Sequence, residues 1–235
     1  MKIKNFGALL VESAMIIFSV LISFYIESWR QQRSDHRKEL EYLARIIKDL
    51  RSDSLRLVPT LKHFENVEKK TAEFLGNYDS WDGGKKLPFS NDSIAMMINL
   101  IYRPREPFAP ASPAYSSLKS NGELDLIQDT SLADRIIEYY ERTLERAIMQ
   151  DYNELIKSEV VPYFGPNMDL QDIVRVVQKK FGQTKSDYFK LCSTNQTKSC
   201  FVLMWSKSRT VNRYLPQRLD AIKELSELIK KELKK

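Results

Sequence analysis

A carboxylate lies near the start of an otherwise apolar stretch of this chain. Glu12 is the single charged residue between positions 6 and 26, and a carboxylate inside a membrane helix normally faces protein or a watery cavity, where it can relay protons. On a helical wheel Ser19 and Ser23 share its face, and paired serines favour close helix contacts. The sequence predicts a membrane helix contact through Glu12, Ser19 and Ser23. Snorkelling of Glu12 to the headgroups and a proton relay are the alternatives.

The two cysteines are the second set of residues whose types could do chemistry. Cys192 and Cys200 flank a polar turn between two apolar runs in DYFKLCSTNQTKSCFVLMW, a pattern that predicts a β-hairpin. Opposed positions on paired strands can reach disulfide geometry, and such a bond persists in an oxidising compartment. Unlinked thiols are the alternative. The two histidines, His36 and His63, are distant in sequence, so no metal site is predicted.

Catalytic chemistry has little support in the sequence. Glycine-rich phosphate loops and the common hydrolase and zinc-protease motifs are missing from it, and no cofactor is predicted. The acidic pairs Asp134/Glu138 and Glu138/Glu141 have helical spacing and could act as acid and base. Such pairs on charged helices are usually solvated, so an enzyme with an acidic cluster is the weaker alternative to a protein without catalysis.

The first thirty residues predict a membrane anchor. At about 1.5 Å per residue the apolar run reaches the ~30 Å of a bilayer's hydrocarbon core. Tyr25 and Trp29 stand where interfacial aromatic residues hold a retained helix, and the run lacks the small-residue exit of a cleaved signal peptide. The chain is therefore divided into a short N-terminal tip (1–5), an anchor in the lipid bilayer (6–29) and a soluble helical domain (30–235).

The helical pattern continues past the anchor. Apolar residues recur at spacings of three and four; they are Leu40, Leu43, Ile47, Leu50, Leu57, Leu61 and Phe64. This stripe predicts a long helix that forms one wall of an intramolecular bundle, with a coiled-coil seam between subunits as the alternative. Pro59 should kink this helix or divide it in two. The predicted fold class is mainly α: a transmembrane helix that continues into a helical bundle, with one small β-hairpin near the C-terminal third.

The central segment AYSSLKSNGELDLIQDTSLADRIIEYY contains a candidate for specific recognition. Its residues Tyr115, Leu118 and Gly122 form this possible recognition segment. The alternative is a tight turn between helices, in which Gly122 supplies a positive φ. Beyond the turn the sequence predicts one long helix that begins near Asp129 and ends at Pro162.

Charge alone does not predict a nucleic-acid partner. Lysine and arginine number 37 against 31 acidic residues, for a net charge of +6. The two signs are interspersed, as in RKELEYLARIIKDLRSD, and this pattern is typical of a solvated helix face. No nucleic-acid-binding motif accompanies the charge.

Two patches of the chain resemble a known family. They comprise Glu12, Ser28, Trp29, Tyr42, Leu43, Ile46, Asp49 and Leu50 near the anchor, and Tyr115, Leu118, Gly122, Leu124 and Ile127 in the centre. The pattern is similar to that of uncharacterised bacterial single-pass membrane proteins that share a domain of unknown function. The resemblance covers most of the first two thirds of the chain and implies architecture and membrane location, without an activity.

Two indicators of orientation disagree. More basic residues follow the anchor than precede it: Arg30, Arg33, Arg37 and Lys38 against Lys2 and Lys4. That asymmetry favours a cytoplasmic domain, whereas the predicted disulfide and the family resemblance favour the periplasm, which is the side predicted here.

The function that the sequence predicts is that of a binding or scaffold component of an envelope complex in the bacterial inner membrane. Its anchor would meet a like subunit or another membrane protein. A proton-coupled subunit that uses Glu12 is the alternative.

Overall fold

The structure is a computed structural model that describes residues 6–79, 88–178, 180 and 185–234. The predicted N-terminal tip lies outside these residues. Nine α-helices occur in the described ranges: α1 (Phe6–Asp79), α2 (Asn91–Tyr102), α3 (Pro113–Ser120), α4 (Thr130–Glu141), α5 (Leu144–Leu155), α6 (Val161–Phe164), α7 (Leu170–Val177), α8 (Tyr188–Cys192) and α9 (Asn195–Glu232). A π-helical turn, Ile156–Val160, joins α5 to α6, and 3-10 turns occupy Leu124–Leu126 and Gly165–Asn167.

Helix α1 is the longest helix of the described residues and forms one wall of the domain core. Its 74 residues span about 110 Å at 1.5 Å per residue. The apolar residues buried along its inward face are Leu43, Ile46, Leu50, Leu57, Leu61, Phe64, Val67 and Phe74. Helix α9 runs antiparallel along this face, because Phe201 near its start stacks on Phe74 at 4.0 Å, while Asn212 further along bonds to Glu68 at 2.6 Å. The apolar stripe is therefore covered within the chain, and the prediction of an intramolecular bundle is confirmed.

Pro59 does not divide α1, so the predicted split at this residue is wrong. The helix continues through it. Pro59 and Leu55 lie on the exposed side, where water can hydrate the Leu55 carbonyl that the proline leaves without a helical partner. On the opposite side Leu57 and Leu61 are buried, so the helix packs on the core both before and after the proline.

The predicted β-hairpin is also wrong. The described residues contain no strand, and the segment around the two cysteines is helical. Asp187 caps α8 by accepting the Lys190 N–H at 3.1 Å, and Thr194 caps α9 by accepting the Thr197 N–H at 3.2 Å. The second apolar run belongs to a 38-residue helix. Consecutive apolar residues in a short window hide the helical period, which explains the error.

The long helix predicted from Asp129 to Pro162 is interrupted. Asp129 caps α4 as predicted, by accepting the Leu132 N–H at 3.0 Å. However, α4 ends at Arg142, whose backbone is extended, and α5 restarts with a different rotation. The buried residues of α5 are Glu145, Met149, Tyr152 and Asn153. Leu144 is 43% exposed because the break changes the face that the chain presents to the core.

Between α3 and α4 the chain turns sharply at Gly122. This residue has a φ of +67°. The Gly122 N–H donates to the Lys119 carbonyl at 3.2 Å and the Glu123 N–H donates to the Leu118 carbonyl at 2.9 Å, which are the two bonds of a Schellman motif. The tight turn considered for this segment is therefore present.

We expect Gly122→Ala to lower the free energy of unfolding by about 1 kcal/mol, because a Cβ strains left-handed backbone even where space is open. Nothing lies within 4 Å of the added Cβ at this position or at Gly76. Gly76→Ala is the matched control: this residue lies inside α1, where alanine should instead stabilise by up to about 1 kcal/mol. Urea unfolding followed by circular dichroism measures both changes, and the same sign for both would contradict the assignment.

Candidate functional site

The N-terminal part of α1 extends beyond the domain and exposes an apolar surface. Every large apolar side chain at positions 10 to 26 is at least 43% exposed. The helix has a mean hydropathy of 1.8 in its most apolar window and is the one helix in the described residues that is long and apolar enough to cross a membrane. An apolar surface of this size is unfavourable in water and is matched by lipid tails.

The predicted contact face of this span lies within that exposed surface. The Ser19 hydroxyl donates to the Met15 carbonyl at 2.8 Å, and the Ser23 hydroxyl donates to the Ser19 carbonyl at 2.9 Å. Both hydroxyls are satisfied by their own helix, so they offer a neighbour small side chains that permit close approach. Glu12 is exposed and has no hydrogen-bond or ion-pair partner among the described residues.

Within the domain, three carboxylates of α1 face inward. Glu39 is 1% exposed and Asp53 is fully buried, while Asp49 is half-buried. Glu39 accepts the Gln128 N–H at 2.9 Å, and Asp49 accepts the Ala114 N–H at 3.2 Å. These carboxylates face inward and bind backbone groups of other segments. Part of the interspersed acidic charge of the sequence is thus used in contacts between segments.

Asp53 connects α1 to two other segments. Its carboxylate accepts hydrogen bonds from the Ala111 N–H at 2.8 Å and from the Tyr139 hydroxyl at 2.6 Å, and Arg56 donates to it at 2.6 Å. Charge-assisted bonds of this kind stabilise a carboxylate that has left water. The sequence analysis missed Asp53, although its distances from Leu50 and Leu57 complete the spacing of three and four along the buried stripe.

Arg218 of α9 packs on the same tyrosine. It is 1% exposed, its guanidinium carbon lies 3.9 Å from the centre of the Tyr139 ring, and it donates to the Tyr139 carbonyl. Burial and the bond to Asp53 raise the pKa of Tyr139, so its hydroxyl stays protonated as a donor. A tyrosine with a raised pKa is a poor general base at neutral pH. The cluster joins α1, α4 and α9 rather than assembling an acid–base pair.

The proline-rich loop at 103–112 is fixed in place by neighbouring helices. Asn153 of α5 accepts the Arg105 N–H at 2.9 Å and donates to the Arg105 carbonyl at 2.5 Å. The Arg105 guanidinium donates to Nδ1 of His63 at 2.9 Å, which places the proton of the neutral ring on Nε2. The loop therefore serves as a connection between α1 and α5.

The predicted recognition segment is used for packing. Tyr115 is 5% exposed and Leu118 is fully buried. The Tyr115 ring stacks on Tyr140 at 4.5 Å, and its hydroxyl donates to Glu141 at 2.7 Å. Lys119 binds the same carboxylate at 2.6 Å, and these two bonds lower the pKa of Glu141. A carboxylate held ionised by a lysine is poorly suited to general-acid catalysis.

The other predicted acidic pair is also separate from any enclosed site in the described residues. Asp134 and Glu138 are exposed on α4. Glu138 lines an open groove of about 200 Å³ between α4 and α9, across which Arg135 pairs with Glu224 at 3.2 Å. In the described part of the chain, no group of three or more His, Cys, Asp or Glu could hold a metal ion.

Cys192 and Cys200 are both free and buried. Cys192 ends α8, and Cys200 lies in α9. Burial raises the pKa of the two thiols to about 12 and about 11, which leaves them protonated and unreactive at neutral pH. Because the hairpin does not exist, the strand geometry that suggested a disulfide is lost, and so is its support for an oxidising compartment.

No protein-family model matches this chain, and no match was found among curated proteins or solved structures. The resemblance to uncharacterised single-pass membrane proteins stays a prediction. Function must therefore be inferred from the exposed and buried faces of α1.

The buried His63 should make the domain sensitive to acid. Burial, with the nearby Arg105 and Arg103, lowers the pKa of His63 from 6.5 to about 4. Because folding favours the neutral ring, its contribution is complete above pH 6.5 and falls by up to about 3 kcal/mol as the pH drops through 4.

Urea unfolding at pH 7.5, 6, 5 and 4 measures this loss. His63→Gln keeps an acceptor for Arg105 but cannot titrate in this range, so its stability should fall less between pH 6.5 and 4. Identical profiles for His63→Gln and the wild type would contradict the assignment.

Proposed function

We propose that this protein is a membrane-anchored binding or scaffold component of an envelope complex, without catalysis of its own. The observation that carries the proposal is the continuity of α1, which is both the exposed apolar span and the central helix of the domain. A flexible linker would let the domain drift relative to its anchor. One uninterrupted helix instead holds the domain at a set height and rotation above the bilayer, as a component that positions partners requires.

The anchor supplies a contact surface for a partner. Ser19 and Ser23 present small, self-satisfied side chains on one face, and Glu12 lies on that face by helical rotation. A carboxylate inside the bilayer is more stable against protein than against lipid tails. The partner at this face is a like subunit or another membrane protein.

A proton-coupled subunit is the second candidate function. It is favoured by one observation, that Glu12 has no hydrogen-bond or ion-pair partner among the described residues; carboxylates within membrane spans mark proton relays in pumps and transporters.

We place the domain on the periplasmic side of the bacterial inner membrane, as the family resemblance implies. The basic residues after the anchor do not oppose this orientation strongly, because large domains cross membranes largely regardless of flanking charge. The two buried, free thiols are compatible with either compartment.

One introduced cysteine tests both anchoring and orientation. Ser52 is exposed on α1, whereas Cys192 and Cys200 are buried, so Ser52→Cys adds the one readily accessible thiol of the described chain. We expect the protein to stay in the membrane after alkaline carbonate washing, and Ser52→Cys to react with an impermeant maleimide in intact spheroplasts. The wild type should not react. Labelling that requires lysis would place the domain in the cytoplasm, and release by carbonate would overturn the anchor.

Substitutions on the span test the contact face. We expect Ser23→Leu to reduce crosslinked complexes in native membranes severalfold, because a bulky side chain prevents close helix approach. Leu21→Ala, on the opposite side of the span, is the matched control and should leave the yield unchanged. Glu12→Gln separates the two candidate functions: lost complexes support a packing role, whereas intact complexes with lost proton-coupled activity favour the second candidate.

A further inference from the structure

A row of basic residues runs along the outer face of α1. Its members are Arg33, Arg37, Lys48, Arg51, Lys62 and Lys69, and all six are exposed. At 100° per residue they fall within an arc of about 60°, and at 1.5 Å per residue the row is about 54 Å long. This basic stripe lies opposite the leucines that face the core.

The arc of the basic stripe contains no acidic residue between its first and last cations. From position 30 to 70 no aspartate or glutamate falls within the same arc of the helix. None of the six cations forms an ion pair with a described residue, although Arg33 lies over the Trp29 ring at 5.1 Å. Three exposed carboxylates lie close to the stripe: Glu41 pairs with Arg45, Glu73 pairs with Lys70 beyond the last cation, and Glu65 lies beside the arc between Lys62 and Lys69.

Apolar side chains interrupt the basic stripe at its centre. Leu55 lies within the same arc and is 70% exposed, and Val58 at its edge is 38% exposed. An exposed leucine on its own is ordinary. A leucine and a valine with cations on either side of them along one helix face have the arrangement of an amphipathic helix–helix contact with flanking charges.

The dimensions and chemistry of the stripe narrow the class of partner. Lipid headgroups form a layer of about 6 Å on each side of the bilayer, so they can reach only the first cations of a 54 Å row that rises from the membrane. A second copy of the chain, packed in parallel on this face, would place lysine against lysine and arginine against arginine. Nucleic acid would match the charge but would leave Leu55 and Val58 against phosphates.

We infer that the outer face of α1 binds an acidic α-helix of a different membrane-anchored chain. The basic stripe is continuous in helical rotation with Glu12, Ser19 and Ser23, so a partner whose span packs on the anchor would carry its next helix along the stripe. Carboxylates at the same helical period would meet the six cations, and an apolar seam would cover Leu55 and Val58. The inference rests on the proposed function, because it names the class of partner that the scaffold positions.

The test uses the full chain in non-ionic detergent and a labelled 28-residue peptide. The peptide has leucine at the core positions of four heptads and glutamate beside them; its scrambled counterpart has the same composition without an acidic face. Fluorescence anisotropy at low and at physiological salt measures binding. We expect the patterned peptide to bind more tightly than the scrambled one, and salt to weaken its binding.

Matched variants localise the contact. Lys48→Gln, Arg51→Gln and Lys62→Gln together should weaken binding about tenfold, since exposed pairs contribute up to about 1 kcal/mol each. The control combines Arg146→Gln, Lys190→Gln and Arg213→Gln, which are also exposed cations without ion pairs in the described chain, and it should change binding less than twofold. Thermal unfolding checks that both variants are folded.

Four results would overturn the inference. The first two are that both triple variants weaken peptide binding equally, and that the scrambled peptide binds as tightly as the patterned one. The third is that an RNA duplex binds more tightly than the patterned peptide. The fourth is that the chain self-associates and dissociates when the cations of the stripe are replaced. Vesicle flotation tests the anchor separately. If the chain floats with vesicles but does not bind the peptide, the inferred acidic-helix partner is contradicted and the membrane anchor is not. If the chain binds the peptide but does not float, the proposed membrane anchor is contradicted instead.

Discussion

The packing of α1 against the antiparallel α9 is the constraint on which the rest of the molecule depends. The inward leucines and phenylalanines of α1 are buried between positions 43 and 74, and each fully buried side chain of this size contributes about 2 kcal/mol relative to exposure. Turning α1 about its axis would expose several of them at once. The helix is therefore held at one rotation, and that rotation decides which residues of both the domain and the span face outward.

A polar cluster stabilises the centre of this packing. Asp53 binds the proline-rich loop and the Tyr139 hydroxyl, while Arg218 lies over the Tyr139 ring. Leaving any one of these buried groups without its partner would cost about 1–3 kcal/mol. The cluster therefore sets the height at which α4 and α9 meet α1. The pKa of Tyr139 is raised because its hydroxyl is buried and donates to Asp53. This cluster therefore differs from catalytic acids and bases, whose pKa values are shifted toward the working pH.

Some elements were predictable because their signals are local. The stripe of α1, the Asp129 cap and the glycine turn at position 122 each depend on spacing or on one residue's backbone preference. The prediction of a hairpin was wrong because the first apolar residues of α9 are consecutive, and only the longer series through Leu215 shows the helical period. The break at Arg142 was not predicted because nothing in an arginine–threonine pair marks a helix end. Asp53 was overlooked because a charged residue at a core spacing is expected to be solvated, and only its three hydrogen-bond donors explain its burial.

The sequence by itself determined the helical class, the apolar span and its length, and the existence of a long amphipathic helix, because hydrophobic period and composition act within one segment. Tertiary structure alone decided what the charges of that helix do. In the sequence, acidic and basic residues are interspersed, and this pattern predicts a solvated helix surface. Once α9 and the loop at 103–112 fix the rotation of α1, Glu39 and Asp53 turn inward to backbone N–H donors of other segments, and cations such as Lys48 and Arg51 are left on the outer face. The separation arises because a buried carboxylate is stabilised only by hydrogen bonds from other segments, and those segments are brought to it by the fold.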